Sequence, residues 1–489
     1  MKKTYIDEIA RGTGGEVYAR AKNEAELGVT KVAIDSRDVS ADTLFFCIIG
    51  ARHDAHDFLE DVHEAGCRYV VLSDEAWAEK MRSKGDMNVV KVADTTRALM
   101  SLAETYMDDW KGLKRVAVTG SVGKTGTKEM IYSVVSTEYK AAKTKGNLNS
   151  EYGIPLTVFG FPEDIELAVI EMGIGYGSSM DELEKIVKPD IAAITTIGSS
   201  HLEVFKTKEN LTRAKLQVAG GLKERGGALV VNADCDELSP ENIERLTGGG
   251  FDIVTVGSGE ACDYRISDIK DKGINGSECL LTVSSGKYAG KKYGLYLSAP
   301  GVHNLINAAE AVAVGALLGV DPEKGAAALE EASLTDKRLD VTEGRNFTVI
   351  NDAYNASPES MIAALKVLAS DKEKRKVAFL GSMFELGSGS AELHEKVGEA
   401  AAELDIDVIV TIGKEGEAIA KAAERSGSTG IIKSYAEKEE AISDLKNILK
   451  KGDIVLAKAS RSMELDKVAD AVLELDKKIS VAEELRTCS

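Results

Sequence analysis

Apolar positions fall into three styles along the chain. From residue 1 to about 110, short strand-like runs at 31–34, 43–49 and 68–72 surround one helically spaced stretch at 57–65, a pattern that predicts a small α/β domain. At Arg115 the pattern turns to strand, glycine-rich turn and helix, with a short apolar run at 116–119 and helical spacing at 127–139. Further apolar runs at 167–170, 191–197, 228–231 and 253–256 read as strands buried on both faces, so a parallel or mixed sheet covered by helices is expected. A charged stretch at 330–340 leads into the third style. There strands are predicted at 347–350, 377–380, 408–412 and 454–457, and helices at 358–369, 391–404, 415–425, 436–450 and 463–475. That alternation predicts a Rossmann-like doubly wound domain, without the G-x-G-x-x-G that a dinucleotide cofactor needs after the first strand. The expected fold class is α/β in three domains: a small N-terminal α/β domain at 1–110, a central domain of nucleotide-binding type with a parallel or mixed sheet at 111–334, and a C-terminal Rossmann-like domain at 335–489.

The length of 489 residues agrees with three domains, at about 150 residues each. A formal charge of −19 repels polyanions, which argues against a general nucleic-acid binder or an anionic-membrane protein. With 44% apolar and 29% charged residues the composition is that of a soluble globular protein, and no run of about 18 apolar residues occurs. The first residues, MKKTYIDEIARG, lack the apolar stretch of a signal peptide, so a cytoplasmic location is expected. Six scattered cysteines (Cys47, Cys67, Cys235, Cys262, Cys279, Cys488) form no C-x-x-C pair and read as reduced thiols. His53, His56 and His63 invite a zinc reading, but H-x-x-H-x6-H without nearby cysteine is poor ligand spacing.

The strongest chemical signal is Gly120-Ser121-Val122-Gly123-Lys124-Thr125-Gly126, between the strand at 116–119 and the helix after it. Backbone N–H groups of such a turn can surround phosphate, Lys124 can reach the terminal phosphates, and Thr125 can hold Mg²⁺ at the start of the helix. Val118 stands where the usual G-x-x-x-x-G-K-[ST] loop has its first glycine, which sets this loop apart from those of kinases and GTPases.

The shortened loop resembles the T-G-[ST]-x-G-K-T of the Mur ligases, ATP-dependent amide ligases of bacterial cell-wall synthesis. The likeness extends along most of the chain and is to the branch that adds D-alanyl-D-alanine. It includes Gly146-Asn-Leu-Asn149 with Gly153-Ile-Pro-Leu-Thr157, Asn351-Asp-Ala-Tyr-Asn-Ala-Ser-Pro358, Gly381-Ser-Met-Phe-Glu-Leu-Gly387 and Lys458-Ala-Ser-Arg-Ser-Met463. Near the start, Asp35-Ser36-Arg37, Leu44-Phe-Phe46 and His56-Asp-Phe58 are similar to the branch's N-terminal substrate domain.

The resemblance implies an ADP-forming ligase that joins D-alanyl-D-alanine to UDP-N-acetylmuramoyl-tripeptide through an acyl phosphate, with ATP and Mg²⁺ as cofactors, acting as a monomer. It implies ATP contacts from residues 120–126, Asn304, Arg338 and Asp352, and metal contacts from Thr125, Glu171 and His201. Lys215 matches the family lysine that is carbamylated, which would turn a cation into a metal ligand; Lys124, His201 and Lys215 are the expected catalytic set. Ser36, Arg37, Asn147, Asn149, Lys458 and Arg461 match substrate positions. Asn304 could serve a base edge or cap the helix after it. Tyr354 and Met463 read as packing residues, and a hinge for closure is expected near Asp336. Departures from the branch pattern include Val122, Gly126, Thr196, Gln217, Asn351, Ser357, Ser382 and Ala459, with Ile-Gly-Tyr-Gly-Ser-Ser after Gly173. These leave two alternatives, a related ligase with a different amine acceptor and a catalytically silent nucleotide-binding homologue.

Overall fold

The computed structural model describes residues 1–22, 28–175, 177, 179–332 and 337–487, with side chains described through 481. The expected hinge near Asp336 and Cys488 lie outside the described residues. Strands gather into three sheets of five, nine and six strands with helices between them, an α/β fold. The chain divides into two compact units, Met1–Thr119 with Glu138–Ala192 and Gln217–Ala228, and Gly120–Thr137 with Ala193–Leu216 and Leu229–Ser489.

In the first unit the five-stranded sheet runs Glu16–Ala19, Asn88–Lys91, Tyr69–Leu72, Thr43–Phe46, Lys31–Ala33, antiparallel at the first pair and parallel thereafter. The apolar run predicted at 43–49 pairs only over Thr43–Phe46, all four of which are buried, whereas Ile49 is 58% exposed and makes a lone bridge to Asp54. The helix predicted at 57–65 forms as Leu59–Glu64 behind a tight turn at Ala55–Phe58, which Asp54 caps by accepting from the His56 N–H. His56 Nδ1 lies 2.6 Å from that same carboxylate, its Nε2 accepts from the Ser73 N–H at 3.1 Å, and His63 faces Asp86 at 3.0 Å. Neighbours in this unit therefore occupy both histidines, and among the described residues no group of three His, Cys, Asp or Glu is arranged to hold a metal. Elsewhere in the unit, strand Lys114–Thr119 runs parallel to Leu167–Glu171, with Val118 opposite Glu171, and Ala141–Lys143 flanks the latter.

In the second unit, helix Lys124–Val135 packs on helix His303–Leu317 so closely that a Cβ on Gly315 would stand 2.4 Å from the Val134 side chain. Strand Asp252–Gly257 meets Tyr264–Asp271 in parallel, and Ser277–Val283 and Lys292–Leu297 follow as an antiparallel meander. The six-stranded sheet has the order Asp340–Glu343, Thr348–Asn351, Ile454–Lys458, Lys376–Gly381, Val408–Ile412, Ile431–Tyr435, parallel except at its first pair. Alternate residues of its strands feed two cores, Leu380, Ile409 and Leu456 in one and Phe379, Val410 and Val455 in the other, as in a sheet covered on both faces.

Two predicted helices differ from their periodicity, one broken in two and one starting later and running further. The stretch 436–450 breaks into Lys438–Ser443 and Leu445–Ile448 around Asp444, whose carboxylate accepts from Lys433 Nζ at 2.7 Å, the Tyr435 hydroxyl at 2.5 Å and Asn447 Nδ2 at 2.6 Å. The stretch from 463 becomes a tight turn at Arg461–Met463 and then helix Asp466–Thr487, because Glu464 between them takes a φ of +53°. Cys47, Cys67, Cys235, Cys262 and Cys279 are buried free thiols. Among the described residues no helix is long and apolar enough to cross a membrane.

Candidate active site

Everything around the glycine loop follows from how little room it leaves. Gly120 has a φ of +146°, and a Cβ there would lie 2.0 Å from Thr195 Oγ1; Gly123, at +88°, opens helix Lys124–Val135 against the Asn307 amide. The loop is pinned to the segment beside it, since the Ser121 N–H donates to the Thr196 carbonyl at 2.7 Å and the Thr195 hydroxyl to the Val122 carbonyl at 2.5 Å. Lys124 folds back over the loop, its ammonium donating to the carbonyls of Gly120 (2.8 Å) and Ser121 (3.2 Å).

A second lysine reaches the same carbonyl: Lys215 Nζ lies 2.9 Å from Gly120 O, with its side chain 1% exposed. Burial first, and the charge of Lys124 second, push the Lys215 amine well below the ordinary lysine range. An unprotonated amine is a nucleophile that an ammonium is not, and this environment favours that form at Lys215 while two lysines share the Gly120 carbonyl.

Sequence-expected groups from far along the chain meet the loop within this unit. Arg338 donates from Nη2 to Thr125 Oγ1 at 3.0 Å. Its guanidinium lies over the Tyr354 ring, 4.1 Å from the centroid, and Arg461 lies 5.6 Å from the same centroid. Tyr354, read from the sequence as packing, is thus the platform between two arginines, a role that only the approach of two distant segments reveals. Lys458, at the end of its strand and 2% exposed, pairs with Asp352 at 2.7 Å and donates to the Asn355 carbonyl at 3.0 Å. Asp352 in turn accepts from the Leu339 N–H at 3.2 Å.

Asn304 is buried in the first turn of helix His303–Leu317, where its Nδ2 donates to the Pro300 carbonyl at 2.8 Å and its Oδ1 accepts from Asn307 at 3.3 Å. It does not cap that helix, which has no side-chain cap. His201 has a φ of +64° and its Nδ1 lies 2.6 Å from Glu385 Oε2; the pairing holds the Glu385 carboxyl below the usual carboxylate range.

In the first unit the expected groups form a separate set. Glu171, 2% exposed at the end of its strand, accepts from Asn149 Nδ2 at 2.7 Å, while its own N–H donates to Thr144 Oγ1 at 3.0 Å. Asn149, matched to a substrate position, is here the hydrogen-bond partner of the expected metal carboxylate. Asn147 is exposed and meets Asn149 through the backbone, its carbonyl accepting from the Asn149 N–H at 2.8 Å. Ser36 and Arg37 sit in a short turn, with Arg37 86% exposed beside Asp35, whose carboxyl it holds low.

A carboxylate at a strand end, a hydroxyl at a helix start and an imidazole nitrogen are donors that a divalent cation accepts, so Glu171, Thr125 and His201 suit Mg²⁺ by type. The Lys215 amine joins them only as a carbamate.

A phosphate-type glycine loop after a strand, two lysines on one of its carbonyls and an arginine on its threonine are the groups of a nucleotide-dependent phosphoryl-transfer protein. The Mur ligase middle domain matches residues 118–315, the Mur ligase glutamate ligase domain 337–461, and the Mur ligase family catalytic domain 28–107. The UDP-N-acetylmuramoyl-tripeptide–D-alanyl-D-alanine ligase of Bacillus subtilis is 34% identical over 474 residues, 96% of this chain and 97% of its own, and that of Treponema pallidum is 31% identical over 95% and 97%. The chain belongs to the Mur ligase family. Its fold is shared with MurF from Acinetobacter baumannii (TM-score 0.84, 29% identity, 97% of this chain and 99% of that one) and with MurF ligase from Thermotoga maritima in complex with ADP (0.75, 27%, 92% and 98%).

Proposed function

We propose that the protein is the ADP-forming ligase that joins D-alanyl-D-alanine to UDP-N-acetylmuramoyl-tripeptide. The observation that carries this reading is the end-to-end match, over 97% of the relative's length, to a ligase of that name.

A carboxylate is a poor electrophile, and amide formation from it needs a better leaving group. An oxygen of the tripeptide carboxylate attacks the γ-phosphorus of ATP, the bond to the β-phosphate oxygen breaks, and ADP leaves. The amine of D-alanyl-D-alanine then attacks the acyl carbon, the carbon–oxygen bond to phosphate breaks, and the nitrogen sheds a proton as phosphate departs. Such chemistry rests on positioning and charge neutralisation. Lys124 and the N–H groups of residues 120–126 would hold the phosphates, with Arg338, Asp352 and Asn304 on the nucleotide side. Bound Mg²⁺ supplies positive charge against the transferred phosphoryl group, and Thr125, Glu171 and His201 would hold it. Ser36 and Arg37 would hold the UDP end of the substrate, with Asn147 and Asn149 nearer its sugar, and Lys458 and Arg461 would meet an anionic group of the ligands. The downward shift of the Lys215 amine supports its carbamylation: the unprotonated amine adds to CO₂, loses a proton and becomes an anionic oxygen ligand.

Such a protein would act in the cytoplasm as three functional regions, 1–110 for the UDP substrate, 111–334 for ATP and 335–489 for closure. The test is phosphate release by the full chain with Mg²⁺, ATP, UDP-N-acetylmuramoyl-tripeptide and D-alanyl-D-alanine, omitting each in turn. Release that needs all of them supports the reading; equal release with glycine or D-glutamate as amine sinks it, and no release at all favours a silent homologue.

A further inference from the structure

The segment at 198–203 is held by two glutamates from the C-terminal part of its own unit. Glu359 Oε1 accepts from both the N–H (2.9 Å) and the hydroxyl (2.7 Å) of Ser199, and a Cβ on Gly198 would press against the same carboxylate at 3.0 Å. Glu385 takes His201 Nδ1 at 2.6 Å, and its carbonyl accepts from the Glu203 N–H at 3.2 Å. Beyond it, Gly387, at a φ of +67°, has its Cα so near Glu203 that a Cβ would stand 3.1 Å from that residue's Cα. His201 and Glu385 both occupy the left-handed region, at φ +64° and +65°, a backbone state that non-glycine residues hold only where their surroundings impose it.

An ionised carboxylate only accepts hydrogen bonds, so Nδ1 of His201 must carry the ring proton in this pair. In the neutral ring the remaining nitrogen, Nε2, keeps its lone pair and points away from Glu385 across the ring. We infer that Glu385 is a positioning residue for His201: it fixes the Nδ1–H tautomer and the ring plane so that Nε2 is presented as a ligand to the divalent cation of the nucleotide complex. A carboxylate behind a ligating imidazole raises its basicity and removes the freedom to rotate or to switch tautomer. Glu385 belongs to the Gly381–Gly387 segment and His201 follows closely on Thr195 and Thr196, which pin the loop, so the pair ties the two segments together. The inference rests on the ligase reading for its metal, but it concerns binding and not turnover.

The test uses the full chain with Mn²⁺ as probe in the presence of ADP, its affinity read by electron paramagnetic resonance, and ¹⁵N-histidine labelling to read the tautomer. The His201→Asn variant assigns the His201 signal. The neutral wild-type ring is expected as Nδ1–H, and Glu385→Ala is expected to weaken Mn²⁺ roughly 10- to 100-fold. Glu385→Gln, whose amide oxygen still accepts from Nδ1–H, is expected to retain the tautomer and most of the affinity. A wild-type His201 protonated on Nε2, or a Glu385→Ala protein that binds Mn²⁺ within twofold of wild type, overturns the inference. If Glu385→Ala does not fold, the wild-type tautomer and Glu385→Gln decide it. The ligase reading fails separately, when a protein that binds Mn²⁺–ADP releases no phosphate with D-alanyl-D-alanine.

Discussion

Two lysines are buried to the same depth in two regions of one unit, and their surroundings differ. Lys458, 2% exposed at the end of a strand, has the Asp352 carboxylate at 2.7 Å. Lys215, 1% exposed beside the glycine loop, has the Gly120 carbonyl and, as the only charge that shifts it, the ammonium of Lys124. The difference teaches that burial alone does not fix a side chain's chemistry. A carboxylate gives the buried Lys458 side chain a countercharge, whereas burial and a neighbouring cation both push the Lys215 amine down and favour its unprotonated, nucleophilic form.

Replacement by methionine is the sharpest way to break that comparison. Lys458→Met leaves Asp352 buried without its countercharge, and the expected loss is about 3–5 kcal/mol of unfolding free energy, read by urea denaturation. A loss below about 1 kcal/mol would mean that Asp352 is satisfied without the lysine, and the contrast with Lys215 would collapse.

Lys124→Ala is next in size. Removing one preorganised positive donor from a phosphoryl-transfer site costs about 10²- to 10³-fold in turnover, so substrate-dependent phosphate release should fall by that factor with the fold intact. The same change also sharpens the comparison, because it removes the charge that, after burial, pushes the Lys215 amine down.

Lys215→Met should move stability the other way. Between the lowered folded pKa of Lys215 and its ordinary value of about 10.4 the unfolded chain binds more protons than the folded one, so wild-type stability rises with pH across that window. Methionine has no proton to lose. In bicarbonate-free buffer the variant should be more stable than wild type at neutral pH, and the gain should shrink as pH approaches about 10. A gain independent of pH would show that Lys215 keeps its ordinary proton.

The sequence carried the two lysines unequally. Lys124 was legible because strand, glycines, lysine and threonine lie within ten residues, and local spacing encodes that geometry. The same locality made the strands around 377–380, 408–412 and 454–457 visible as short apolar runs. Lys215 was visible as a family position, yet nothing within its helix Lys208–Leu216 says that it is buried against a carbonyl 95 residues away. Pairings over such separations, including Asp352–Lys458, Glu385–His201 and Arg338–Thr125, depend on the tertiary path and leave no local period. Strands Tyr264–Asp271 and Ser277–Val283 escaped for another reason. They form one antiparallel ribbon whose second strand alternates buried and half-buried residues, so it lacks the continuous apolar run of a strand covered on both faces. Helix Glu75–Lys84 buries only Ala78 and Met81, too few apolar positions to register as a periodic stretch.

The smallest effect tests the aromatic platform beside Lys458. Arg338 lies 4.1 Å and Arg461 5.6 Å from the centroid of Tyr354, so the ring faces two guanidinium groups that would otherwise repel each other. An exposed cation–π contact contributes about 0.5–1 kcal/mol, which corresponds to roughly a two- to fivefold change in an equilibrium constant. Tyr354→Leu should therefore raise KM for ATP by about that factor while kcat stays near wild type, because Lys124 and Lys215 against the Gly120 carbonyl are untouched. Tyr354→Phe keeps the ring face and should keep the wild-type KM. If phenylalanine and leucine behave alike, the hydroxyl or mere bulk matters and the platform does not. If leucine lowers kcat and leaves KM alone, the two arginines act on the transferred phosphoryl group and belong with the loop lysines, not with the Lys458 strut.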